Sequence, residues 1–270
     1  MTYVKLIYYI LFAFCYGFVG SLTDLVMVNS SWTYSHISSL WRFAPRILIV
    51  FPPCDTTSLD ELPISSASSP RENIIVSIGQ FRPEKDHSLQ IRSFANLIHR
   101  MKKEGHPIDI KLVLIGSCRG KSDEERVKHL KALAEKLNVL LYIEFVINQP
   151  FPVLKSWLGR SSIGIHTMWN EHFGIGVVEM MAAGLITIAH NTGGPKLDIV
   201  VPFEGNRTGY LAYTEQEYSN TMYTILFSNT KEENEKIREN ARKSSKSFSD
   251  ETFDISFKSA LAGSKILTEN

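Results

Sequence analysis

The chain is short of cysteine, of surplus charge and of the common catalytic signatures, and each shortage removes a class of function. Its three cysteines, Cys15, Cys54 and Cys118, are far apart and odd in number. They match no zinc or redox spacing and no disulfide framework, and they fit a reducing compartment such as the cytosol. Basic side chains number 29 against 28 acidic ones, a net charge of +1, so no broad basic face for nucleic acid is implied. No His/Asp/Glu cluster has metal-ligand spacing. A phosphate-binding loop with its lysine, a Gly-x-Ser-x-Gly elbow and the strict dinucleotide fingerprint are all missing, which leaves kinase, hydrolase and dehydrogenase readings without support. Asn29-Ser-Ser31 and Asn206-Arg-Thr208 are formal glycosylation sequons, read as incidental in a cytosolic chain.

Charge is scarcest in Tyr3–Gly20, YVKLIYYILFAFCYGFVG, where Lys5 is the one charged residue. Its length is near the lower limit for a membrane span. Three readings fit: a signal peptide cut near Gly20-Ser21, a spanning helix, or an aromatic-rich helix that packs on a domain or lies in the membrane interface. Beyond it the pattern predicts a strand over residues 24–29, a helix over 35–41 capped from Ser30, Ser31 or Thr33, and a strand over 46–51 that stops at Pro52-Pro53. Residues 55–72, rich in Ser, Thr and Pro, read as a linker.

From residue 73 onward apolar runs alternate with amphipathic ones. Strands are predicted over 73–79, 110–116, 141–146, 162–166 and 185–190. Helices are predicted over 87–103, 123–137, 152–159 and 174–183, the second opening on a capping box at Ser122–Glu125 and the last closed by Gly184. Three further helices follow near 216–228, 231–244 and 250–265. Near-continuous apolar strands alternating with helices imply an α/β fold, a doubly wound, Rossmann-like parallel sheet covered on both faces. Ligands of such sheets bind at the carboxyl ends of the strands.

Three segments sit at those ends. Gly79-Gln-Phe-Arg82-Pro-Glu-Lys85-Asp86-His87 puts two cations at the mouth of a helix, where a diphosphate finds positive charge and free backbone N–H groups; a solvated loop with incidental charges is the alternative. Glu171-His-Phe173-Gly174-Ile-Gly176-Val-Val-Glu179 places two carboxylates around a glycine-rich helix start, suited to sugar hydroxyls. The alternative makes Glu171 a partner of the helix dipole and Glu179 a surface residue, yet Glu179 lies among Val177, Val178, Met180 and Met181, a costly place for an unpartnered acid. Asn191-Thr-Gly193-Gly194-Pro195 permits close backbone approach, or is an ordinary turn. His166 ends a strand and either reaches a ligand or is a satisfied core histidine.

In order, and each after a strand, these segments resemble the C-terminal domain of GT-B glycosyltransferases, the large retaining family that includes glycogen and sucrose synthases. The Glu171…Glu179 pair resembles its E-x7-E motif. Val26–Trp32, Phe51–Asp55 and Ala189–Pro202 are similar to its α-1,2-mannosyltransferase branch in N-glycan assembly. The resemblance implies GDP-mannose as donor and a dolichol-diphosphate-linked oligosaccharide as acceptor, at the cytosolic face of the endoplasmic reticulum membrane. Arg82 and Lys85 would hold the donor diphosphate, Glu171 the mannose hydroxyls with backbone N–H groups at Phe173 and Gly174, and Glu179 the ribose, with Gly79, His166, Gly193 and Gly194 completing the donor site. Glu171, Arg82 and Lys85 would be the catalytic group. No metal or other cofactor would be needed, and retaining transfer would proceed by front-face attack with a diphosphate oxygen as base. The implied organisation is a remnant of the acceptor-side domain over residues 1–55, with the apolar helix inside it, a linker over 56–72, the nucleotide-sugar domain over 73–249 and a C-terminal helix over 250–270. An alternative is a truncated, non-catalytic, membrane-associated partner of other mannosyltransferases.

Overall fold

The computed structural model describes residues 3–64 and 71–262, and the chain divides into two compact units, Met1–Pro53 with Asp250–Asn270, and Cys54–Ser249. In the first, helix α1 (Tyr3–Gly20) is exposed along almost its whole length. Its 18 residues extend about 27 Å, and with a mean hydropathy of 1.5 it is long and apolar enough to cross a bilayer. Tyr8, Phe12 and Tyr16 stack one turn apart, at 6.3 and 6.2 Å, because residues four apart share a helix face. Strand β1 (Val26–Val28) pairs in parallel with β2 (Ile47–Ile49) across helix α2 (Ser31–Leu40). The Ser30 side chain caps α2 by accepting from the Thr33 N–H, four residues earlier than the helix predicted from residue 35. Helix α10 (Asp250–Ala262) completes the described part of this unit; the last residues predicted for it, 263–265, lie outside the described residues.

The second unit opens with a short helix, α3 (Thr56–Asp60), inside the stretch read as a linker. Composition hid it: Asp55 caps it through the Ser58 N–H and hydroxyl, and Leu59 is buried beneath it. Linker residues 65–70 lie outside the described residues. Six strands then build one sheet: β3 (Glu72–Ile78), β4 (Lys111–Gly116), β5 (Ile143–Ile147), β6 (Ser161–Ile165), β7 (Ile186–His190) and β8 (Tyr210–Ala212). Every pair is parallel, in the order β5-β4-β3-β6-β7-β8. Strand β8 is an addition to the predicted set; three residues after an irregular loop carry no readable periodicity.

Helices α4 (His87–Glu104), α5 (Lys121–Lys136) and α8 (Glu215–Tyr223) close one apolar core with Ile75, Leu112, Leu114 and Ile163. Helices α3, α6 (Phe151–Arg160) and α7 (Ile175–Ala182) close the other with Ile74, Val76 and Val113. Strands buried on both faces need apolar residues at successive positions, which is why β3 reads Ile-Ile-Val. Helix α7 ends as predicted, with Gly184 at φ 79° and its N–H on the Met181 carbonyl. The capping box predicted for α5 is not used: the helix starts at Lys121 behind Gly120, and the Asp123 carboxylate takes the Arg119 N–H. Helix α9 (Lys231–Ser245) does carry a capping box, between Thr230 and Glu233.

Chain order makes β3 and β6 special. From β3 the chain winds outward through β4 and β5, then returns to β6 and winds the other way. Loops leaving β3 and β6 therefore diverge, opening the crevice where doubly wound sheets bind ligands.

Candidate functional site

Both loops at that crevice carry the predicted residues. Strand β3 ends at Ile78, and Gly79 follows. A Cβ on Gly79 would lie 3.4 Å from the Lys85 Cγ, and a Cβ on Gly116, at the end of β4, would overlap the Gly79 carbonyl. Two glycines on neighbouring strands thus let the Gly79–Lys85 loop fold back on itself. Arg82 precedes a short 3-10 turn, Pro83–Lys85. It is half-buried, and its guanidinium has no ion pair among the described residues. Asp86 then adopts the left-handed region, at φ 41°, and caps α4 by accepting from the Leu89 N–H.

Across the crevice, the loop after β6 brings Glu171 to Lys85. The Lys85 ammonium donates to Glu171 Oε2 at 2.7 Å and lies 3.2 Å from the Met168 sulfur. His166 Nε2 is 3.3 Å from the same carboxylate oxygen. Burial alone would raise the Glu171 pKa, but the hydrogen bonds from His166 and Lys85 and the lysine charge outweigh it and hold the carboxyl at about 2. Glu171 is therefore ionised at neutral pH and can only accept hydrogen bonds.

The Glu171 loop rests on the third predicted segment. Gly194 donates its N–H to the Glu171 carbonyl at 2.8 Å. A Cβ on Gly194 would lie 2.5 Å from the carbonyls of His172 and Phe173, and one on Gly193, at φ 66°, would lie 2.3 Å from the Glu171 carbonyl. Both glycines are buried; their missing side chains make room for the loop that aims Glu171. Thr192 adds a side-chain prop, accepting from the Asn170 N–H at 3.0 Å and pairing with His190 Nδ1 at 2.8 Å.

Phe173 is buried edge-on against Phe248, ring centroids 5.4 Å apart. Gly174, at φ 115°, starts α7, and the first N–H groups of a helix have no acceptor within it. That end of α7 therefore offers donors and positive potential. Glu179 sits further along α7, half-buried. Its carboxylate has no hydrogen bond or counter-charge among the described residues, and burial, with the nearby charge of Asp55, pushes its pKa up.

Of the ten predicted residues, Lys85, His166 and Glu171 are in direct contact. Gly79, Gly193 and Gly194 shape the backbone around them, and Phe173 and Gly174 lead into α7. The Arg82 carbonyl accepts from the Lys85 N–H at 3.2 Å, but among the described residues no hydrogen bond or ion pair joins the Arg82 guanidinium or the Glu179 carboxylate to the Lys85–Glu171 pair. Several supporting residues went unpredicted: Gly116, Met168, Thr167 and Gln90; Thr192 lay inside the third predicted segment but was given no role of its own. A hydroxyl or amide that bonds to main chain leaves no spacing pattern; position just past a strand end is the sole signal for Thr167 and Thr192. Among the described residues no cluster of His, Cys, Asp or Glu could hold a metal ion. A cavity of about 360 Å³ lies at the other, amino-terminal end of the central strands β3 and β6, lined by Arg71, Asn73, Ser162 and Arg238 among others.

The profile described as Glycosyl transferases group 1 matches residues 60–244, and the one described as ALG11 mannosyltransferase N-terminus matches residues 1–41. A human protein, GDP-Man:Man(3)GlcNAc(2)-PP-Dol alpha-1,2-mannosyltransferase, is 54% identical over 261 residues, covering 97% of this chain and 53% of its own length. A protein of the same name from Dictyostelium discoideum is 43% identical over 259 residues, covering 95% of this chain and 50% of its own length. The chain spans about half the length of the curated relatives it matches. Among solved structures, Anabaena Alr3699/HepE in complex with UDP superposes with a TM-score of 0.74 at 18% identity, over 90% of this chain and 65% of that one, a likeness of fold.

Proposed function

Because the chain belongs to the glycosyl transferases group 1 family and has the Rossmann-like parallel sheet of a GT-B enzyme, we propose that it supplies the donor-holding half of a mannosyltransferase. The reaction is transfer of mannose from GDP-mannose, in α-1,2 linkage and with retention, to the dolichol-diphosphate-linked oligosaccharide of N-glycan assembly. The names of its human and Dictyostelium relatives contain both GDP-Man and Man(3)GlcNAc(2)-PP-Dol. The observation that carries the reading is the 2.7 Å Lys85–Glu171 pair at the switch-point crevice, beside the donor-rich start of α7.

In this reading Lys85 and Arg82 hold the diphosphate. Arg82 brings a guanidinium with no ion pair among the described residues, and Lys85 a point charge already steered by Glu171. Glu171 accepts hydrogen bonds from mannose hydroxyls, and the backbone N–H groups at Phe173 and Gly174 add donors. Ribose hydroxyls give the carboxylate of Glu179 the donors that it lacks among the described residues. The acceptor hydroxyl attacks the anomeric carbon from the face that GDP leaves; the carbon–oxygen bond to the diphosphate breaks, and a diphosphate oxygen takes the hydroxyl proton. Charge develops on the leaving GDP, where preorganised cations and N–H groups stabilise it, so no metal is required. The chain works at the cytosolic face of the endoplasmic reticulum membrane, with α1 as its apolar contact.

Calorimetric titration with GDP tests the reading. Replacing Arg82 and Lys85 together by Ala removes two charge-assisted contacts, each about tenfold in affinity or more, so binding should weaken by about a hundredfold. A folded sample that binds no GDP at millimolar concentration would refute it.

A further inference from the structure

One hydroxyl joins the two loops of the crevice. Thr167, buried to 1% exposure, follows His166 on the loop after β6. Its Oγ1 lies 2.8 Å from the Lys85 carbonyl and 3.1 Å from the Asp86 carbonyl, so a single hydroxyl proton is shared between two main-chain acceptors on the loop after β3. The same oxygen accepts from Gln90 Nε2 at 2.8 Å, on the first turn of α4. Gln90 is itself buried to 2% exposure, and its Oε1 has no hydrogen-bond partner among the described residues, so the amide is held for its donor. The carbonyls Thr167 grips flank the left-handed Asp86, at φ 41°, the most strained position of that loop.

The consequence reaches the site. Lys85 leaves the gripped main chain and ends on Glu171, four residues after Thr167 on the same loop. Thr167 and Glu171 thus hold Lys85 at its two ends, one by the backbone and one by the ammonium. Valine would fill the same volume without placing a polar atom in a nearly dry site, so packing alone does not require a hydroxyl here. We infer that Thr167, supported by Gln90, is a positioning residue that fixes Lys85 against Glu171 and thereby sets the strength of the diphosphate grip. The inference rests on the donor-site reading above for its effect on binding.

The test is a double-mutant cycle on the full chain. GDP affinity is measured for the wild type, Thr167→Val and Thr167→Ser, each with and without Lys85→Ala. Loss of a hydrogen bond of ordinary strength predicts about fivefold weaker GDP binding for Thr167→Val. Thr167→Ser, which keeps the hydroxyl, should stay within about twofold of wild type on the same scale. In the Lys85→Ala background Thr167→Val should cost nothing further, because the group it positions is gone. An equal loss in both backgrounds, or none in either, overturns the inference. A wild-type chain that binds no GDP would sink the donor-site reading instead, and the inference is then decided without ligand. At about pH 4, near the ordinary carboxylate range, the carbon-13 signal of Glu171, assigned with Glu171→Gln, should be that of an ionised carboxylate in the wild type and partly protonated in Thr167→Val. Identical spectra would overturn it.

Discussion

Glu171→Gln tests the electrostatics of the site through folding stability, with no ligand involved. The carboxyl is 16% exposed in its side chain, with Lys85 and His166 on one oxygen. Its pKa falls from the ordinary 4.5 to about 2 because those partners outweigh desolvation. A carboxyl depressed on folding stabilises the native state above its unfolded pKa, and that contribution disappears as pH falls through the folded value. The fall corresponds to about 3 kcal/mol at neutral pH. Glutamine keeps one acceptor for Lys85 but loses the charge, so the variant should be less stable by about 2 to 3 kcal/mol at pH 7. Urea unfolding followed by circular dichroism measures the difference at several pH values. As pH drops from about 4.5 toward about 2, the wild type should lose this term and the variant should not, so the gap between them closes. A gap equally wide at pH 7 and near pH 3 would mean that Lys85 and His166 do not stabilise the Glu171 charge, and the site as described would be wrong.

Two further substitutions probe the surroundings. His87 is buried against Phe81, ring centroids 5.0 Å apart, with neither ring nitrogen hydrogen-bonded among the described residues; burial, then the charges of Arg126 and Lys85, lowers its pKa from 6.5 to about 4. The unfolded chain binds that proton first, so wild-type stability should fall as pH drops from about 6.5 to about 4; His87→Phe should flatten this part of the stability-pH curve, and an unchanged slope would refute the neutral buried imidazole. Gly194→Ala forces a Cβ to within 2.5 Å of two carbonyl oxygens; it should cost about 2 kcal/mol or more in thermal unfolding and weaken GDP binding with it, whereas a variant as stable as wild type would show that the Glu171 loop does not rest on this glycine.

Much of this architecture is legible in the amino-acid order, for physical reasons. Strands buried on both faces must be apolar throughout, so β3, β4 and β7 announce themselves, and Gly184 marks the end of α7 because few other residues adopt its backbone angle cheaply. Lys85 and Glu171 are visible because charged residues just past such strands are conspicuous. The unpartnered acid of Glu179 was also foreseeable from its apolar neighbours. What stays hidden is whatever depends on one well-placed hydrogen bond. Thr167 and Thr192 look like any loop threonine. Helix α3 hides in a Ser/Thr-rich stretch because its anchor is the single side chain of Leu59. At α5 the Ser122–Glu125 spacing misleads, since Asp123 bonds to the Arg119 backbone and the helix begins without a side-chain cap.

The central neighbours β3 and β6 have a consequence for when the crevice can exist. Lys85 and Glu171 are 86 positions apart, and two complete strand–helix excursions lie between them. Closing so long a segment is slow relative to local structure. Cation can meet carboxylate only once the arm through β4 and β5 has folded back and β6 has docked beside β3, so the site is a product of that long-range closure and of no single local segment.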